Sequence, residues 1–159
     1  MNTQRQLRSI AAAAAALALA GLAQAGQCPA GQSAANALAG AATAPVGVVD
    51  TELASIDLAK ENVMQEGRRL RLRRMTIAPG GVVPLHSHED RPALIMVVSG
   101  EIYEYSSQCA VPILHKAGEV AREFMGTRHW WKNTGSQPVM LTIGDIVNDH
   151  KPMTMEQMM

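Results

Sequence analysis

His86 and His88 stand two apart in a short run, Val82 to His88, whose composition is that of a β-strand. Side chains two apart on a strand point to the same face, so both imidazoles address one volume. Neutral imidazole is a good ligand for zinc, iron, copper and nickel, and one ion shared by the pair is the chemistry this spacing offers. A His-x-His pair by itself also fits two histidines on a wet strand face. The other reactive residue types add little at first sight. His115 follows an apolar run beside Lys116 and reads as a surface histidine. His150 precedes Met153, Met155, Met158 and Met159, a soft set that suits Cu(I), although an unstructured tail is the preferred reading. No nucleophile with a neighbouring base and no acid–base dyad stands out, so a metal would have to carry any reaction.

The elements that must position these histidines are short and β-like. Arg69-Leu70-Arg71-Leu72-Arg73 alternates strictly, as a strand with one wet face does. The five arginines between 68 and 74 are then a solvated strand face in preference to an anion patch. Pro79-Gly80-Gly81 is expected to break this strand before the histidine strand begins. Ala93 to Val98 is apolar throughout, which predicts a strand covered on both faces. Further strands are expected over 101–105, 111–114, 129–132 and 139–147, with 133–138 as a hairpin loop. Many short strands without helical periodicity mean an all-β sandwich or barrel.

Composition separates this body from the front of the chain. Of the first 45 residues 18 are alanine, and no aromatic occurs before Tyr103. Arg5 and Arg8 precede an uncharged run from Ile10 to Ala23, followed by Ala23-Gln24-Ala25, the three-part layout of a secretory signal peptide. The run is too short to span a bilayer, so no stable membrane anchor is expected. Removing 25 of the 159 residues leaves 134, with 12 basic against 14 acidic groups and a net charge near −2. That balance gives no footprint for nucleic acid. The protein is therefore expected to be exported, periplasmic or secreted. In an oxidising compartment Cys28 and Cys109 are expected to pair, with two free thiols as the alternative. Such a bridge would tie the arm to the body and add roughly 2–4 kcal/mol. The expected organisation is a signal peptide over 1–25, an Ala/Gly-rich arm over 26–47, a barrel over 48–149 and a Met-rich tail over 150–159.

Two spacings raise the histidine pair above background. Gly80, His86, His88, position 93 and Gly100 follow Gly-x5-His-x-His-x4-Glu-x6-Gly. Gly118, position 124, Gly126, His129 and Asn133 follow Gly-x5-Pro-x-Gly-x2-His-x3-Asn. In these residues the chain resembles the cupin superfamily, over roughly 74–147. The resemblance implies an all-β jelly-roll barrel, the double-stranded β-helix, with His86, His88 and His129 as ligands to one divalent transition metal: Fe, Mn, Ni, Zn or Cu. Phe124 replaces a proline without consequence. Ala93 replaces the glutamate ligand, which leaves three neutral ligands and several open positions. Some iron-dependent dioxygenases of this superfamily likewise lack the glutamate and bind an anionic substrate on the ion. Glu89 and Asp90 follow His88 too closely to take over as ligands, and are expected at the barrel mouth with Arg91.

Strand parity then fixes the interior. With His129 inward, Trp131 and Asn133 should also line the cavity and Trp130 should face out; Ala93, Ile95 and Val97 should share the inner face. Leu94, Met96 and Val98 need cover, from a second protomer or from the strand over 48–57, and a homodimer is expected. Three functions stay open: an enzyme carrying out metal- and oxygen-dependent, dioxygenase-like chemistry on a small molecule, a non-catalytic module that binds a small molecule or metal, or, behind these two, a structural subunit whose barrel serves only for oligomer contacts.

Overall fold

The computed structural model describes residues 27–34, 38 and 40–151. The expected signal peptide and nearly all of the Met-rich tail lie outside the described residues. Eight strands follow in order: β1 Val46–Asp57, β2 Arg68–Ser87, β3 Ala93–Ser99, β4 Glu101–Ser106, β5 Ile113–Lys116, β6 Val120–Glu123, β7 Arg128–Lys132 and β8 Val139–Asn148. A single 3-10 turn, Leu58–Lys60, follows β1. The strands form one antiparallel sheet in the order β5-β4-β7-β2-β8-β3-β6, with β1 added to β2. The sheet curls into a nearly closed jelly-roll barrel, so nearly every strand has a buried inner face and a wetter outer one. No described helix is long and apolar enough to cross a membrane.

β2 is one strand of 20 residues, where a break was expected at Pro79-Gly80-Gly81. The chain changes partner there without leaving the sheet. Up to Ile77 it pairs with β8, and from Val82 it pairs with β7. Gly80 makes the step with φ +73°, and its N–H donates to Asn133 O at 2.9 Å. A Cβ on Gly81 would lie 2.7 Å from Ala78 O, so glycine alone fits. This long, bent strand carries the arginines at one end and the histidines at the other.

The alternation over 69–73 is real, but its sense is opposite to the expected one. Arg71 and Arg73 are buried, whereas Leu70 and Leu72 are each 42% exposed. The arginines point inward because the barrel supplies carboxylates for them, Asp145 on β8 and Asp50 on β1. Hydropathy alone cannot see a buried partner. The interior therefore has two parts. Met75, Ile77, Val83, Ile95, Val97, Ile102, Leu141 and Ile143 pack into an apolar core with Trp131. A row across four strands, Arg71, Asp145, Ala93 and Glu123, closes the other end with charge.

β3 is covered on its inner face only. Ala93, Ile95 and Val97 are buried, while Leu94, Met96 and Val98 stay exposed. β1 does not cover them, because it extends the sheet at the edge of β2. Cys28 and Cys109 form a disulfide with a Cα–Cα distance of 5.6 Å, and Ser33 bridges to Cys109 in the same place. The arm is thus tied to the loop between β4 and β5.

Candidate metal centre

His86 lies near the end of β2, His88 just past it, and His129 on β7. His86 and His129 are direct cross-strand partners, after a bulge that re-aims the end of β2 inward. All three rings are at most 2% exposed. His129 Nε2 lies 2.9 Å from His86 Nε2 and 3.0 Å from His88 Nε2, so the three nitrogens converge on one point.

The tautomers follow from what holds the other ring nitrogens. His86 Nδ1 is 2.9 Å from Pro84 O, and His88 Nδ1 is 2.7 Å from Arg91 O. A carbonyl only accepts, so both Nδ1 atoms carry the proton and both Nε2 atoms present lone pairs. His129 Nδ1 has two neighbours, Glu104 Oε1 at 3.0 Å and Trp131 Nε1 at 3.2 Å. The carboxylate contact is shorter and charge-assisted, so Nδ1–H donates to Glu104 and Nε2 is again a lone pair. Three lone pairs facing one another at 3 Å cannot hydrogen-bond among themselves. A cation satisfies all three at once, and the donor set fits a transition metal.

Burial keeps two of the three rings, His86 and His88, in the neutral form that a metal requires. It lowers His86 well below the usual imidazole range and His88 to about 3, helped in both cases by the charges of His129 and Arg91. Burial also disfavours charge on His129, but Glu123 and Glu104 outweigh it and raise that ring. Burial pushes the Glu104 carboxyl up, yet hydrogen bonds from His115 and His129 prevail and hold it at about 2. Glu123, whose Oε2 lies 3.5 Å from His129 Nδ1, is raised by burial to about 7.

Several expectations change here. His115 is fully buried, not at the surface, because its Nε2 donates to Glu104 Oε2 at 2.8 Å and its ring packs on Trp131. The acidic pair Glu104 and Glu123 was missed altogether. β4 parity places Glu104 inward opposite Trp131, a signal legible in Glu101–Tyr105; β6 was not recognised, so Glu123 gave none. Asp90 does lie at the rim, bound by Arg68, Asn148 and Lys151, and Glu89 accepts from Gly126 N–H. Arg91 instead turns into the barrel and meets Asp145 at 3.1 Å, since a buried carboxylate outbids the rim.

The residues expected to line the cavity have different surroundings. Ile95 and Trp131 bound a small void against His86, of about 10 Å³. Ala93 pairs with Glu123 on one side and Asp145 on the other, where its small side chain opens the charged row. Val97 is deeper in the apolar core. Asn133 is buried, but its amide donates to the carbonyls of Ile77, Ala78 and Gln137 and fastens the loop to β2. Trp130 faces outward and stacks on Tyr105. A cleft of about 220 Å³ between the β5 and β6 edges reaches Glu104 and Glu123 from outside, and the disulfide forms part of its wall.

Residues 73–144 match the family model described as Cupin domain. The barrel belongs to the cupin superfamily. Among solved structures, this cupin is similar to the Cupin_2 domain of an XRE family transcriptional regulator from Enterobacter cloacae, at 18% identity and TM-score 0.50, covering 64% of this chain and 96% of that one. It is similar too to a predicted oxalate decarboxylase from Thermotoga maritima, at 21% identity and TM-score 0.51, covering 69% and 96%. At these identities the likeness concerns the fold. Among curated proteins no match to the sequence is found.

Proposed function

We propose that this cupin is an exported, single-domain protein that holds one divalent transition metal through His86, His88 and His129 and acts on a small molecule in oxygen-dependent chemistry. The observation that carries the reading is the convergence of three buried Nε2 lone pairs, each fixed by a partner on Nδ1. The donor set suits a divalent transition ion and would leave coordination positions open beyond the three nitrogens. When bound, such an ion supplies Lewis acidity and free positions for substrate and oxygen. Pro84 and Arg91 carbonyls hold two rings in place, Glu104 accepts the Nδ1 proton of His129, and Trp131 and Ile95 keep water from the inner side.

The disulfide supports export, because such bridges persist in oxidising compartments. Pairing into a homodimer is supported by the outer face of β2, β8 and β3, where Leu72, Gly144 and Leu94 lie in one row and Leu70, Met96 and Val98 are also exposed. Sedimentation equilibrium of wild type and Met96→Lys tests it: a dimer weakened by the substitution is expected, and a monomeric wild type contradicts it.

The second reading, a binding module without catalysis, is favoured by one observation. The void beside His86 is about the size of one water, so the barrel as it stands has little room for a substrate there. Oxygen uptake by the iron-loaded protein across small carboxylic acids separates the two. Turnover that disappears in His86→Ala supports the enzyme; one bound metal with no uptake on any acid supports the module.

A further inference from the structure

Arg91 carries donors that the barrel does not use. Its side chain is buried, and Nη1 donates to Asp145 Oδ2 at 3.1 Å. Nε and Nη2 are buried with no hydrogen-bond partner. Those two atoms form the side-on edge of the guanidinium, and a neighbour shows what such an edge takes. Arg71 uses its own Nε and Nη2 to hold both oxygens of Asp145, at 3.0 and 2.8 Å. The free edge of Arg91 has the same fork geometry and so fits the two oxygens of one carboxylate.

The local charge leaves room for such an anion. Three buried guanidiniums, of Arg71, Arg73 and Arg91, share this end with two carboxylates, of Asp50 and Asp145. Asp145 already contacts all three arginines, and Asp50 bonds Arg73. Glu123 shares the row but turns its carboxylate to His129. Burial and the charge of Arg73 lower Arg91 only to about 10, so it stays cationic near neutral pH. The position is also suited to a ligand. The Arg91 carbonyl orients His88, so a ligand on this guanidinium would lie beside the three histidines.

We infer that the side-on edge of Arg91 is an anion subsite inside the barrel, which takes one carboxylate group of a small organic acid. This deepens the proposed function by naming a substrate class, and rests on the reading of the barrel as a small-molecule site. It does not depend on the metal being bound.

The probe is acetate, with chloride at matched ionic strength as the control. Nitrogen-15 spectra of the arginine Nε–H groups are recorded on zinc-loaded and chelator-treated protein, with Arg91 assigned by the resonance missing in Arg91→Lys. Acetate is expected to shift that resonance to a plateau in both samples. Affinity should fall at least about tenfold in Arg91→Gln, with Arg91→Lys between, because the fork is lost in both and the charge in one. An Arg91 resonance that acetate leaves in place overturns the subsite, and so does acetate binding that vanishes on metal removal yet ignores both substitutions. The wild-type titration decides the matter even if the variants fail to fold, with Arg91 then assigned through bonds. A protein that binds acetate through Arg91 but takes up no metal refutes the metal reading and leaves the subsite standing.

Discussion

The two ends of the barrel interior solve the same problem in opposite ways. At the histidine end three imidazoles meet beside one buried carboxylate, Glu104, and each ring has its Nδ1 tied to a carbonyl or carboxylate, so that only the Nε2 lone pairs remain open. At the arginine end the buried groups are ions, held by one another, with part of a guanidinium left over. Neutral groups can be buried cheaply and still leave a strong, directed demand for a cation. Buried ions are stable only as a network, and any excess charge becomes a demand for a counter-ion. The contrast is what lets the proposed cation site and the proposed anion subsite occupy one small barrel interior without cancelling each other.

The comparison can be broken first at the histidines. His129→Ala or His86→Ala should abolish metal binding, while His115→Ala should retain the metal, as measured by elemental analysis of the purified protein. Loss of metal in all three would mean that His115 is part of the site. The arginine end should respond through stability. Asp145→Ala removes the carboxylate shared by three guanidiniums and should cost about 3–5 kcal/mol in urea unfolding, with little change in metal affinity.

Acid gives a related test. Burial raises the Asp145 carboxyl, but the Arg71 hydrogen bonds and the charges of Arg73, Arg71 and Arg91 prevail and hold it below the usual range. Its contribution is therefore complete above the unfolded value of about 3.9 and is lost as pH falls through the lower folded value. Asp145→Asn should flatten that acid limb; an unchanged limb would show that other carboxylates govern it. Reduction of Cys28–Cys109, at neither end, should cost roughly 2–4 kcal/mol and leave the metal in place. The smallest effect expected is on Glu104→Gln. The amide still accepts from one ring but no longer carries charge, so metal affinity should fall by about 10–100-fold, read by competition with a chelator.

The histidine end was legible in the sequence and the arginine end was not, for a physical reason. His86, His88 and His129 reveal themselves because their spacing on strands brings three imidazoles together, and the glycines around them mark the turns. Strand parity likewise placed Trp131 inward and Trp130 outward, and export logic paired the cysteines. Arg71 and Arg73 looked solvated because a strand pattern gives alternation and not sense; the sense was set by Asp145, 74 residues after Arg71 in the chain. The same blindness hid Glu104, Glu123 and the burial of His115, whose polar side chains are inside only because they satisfy one another. Glycine and proline at 79–81 signal an ending in the sequence, whereas in the fold they let one strand exchange partners.

The central claim is that three converging lone pairs exist to hold one ion. Elemental analysis of protein purified without a histidine tag, before and after reconstitution with iron, manganese or nickel, tests it most directly. The account predicts about one equivalent of a transition metal per chain, absent from His86→Ala. Less than about a tenth of an equivalent of any such metal, even after reconstitution, would contradict it.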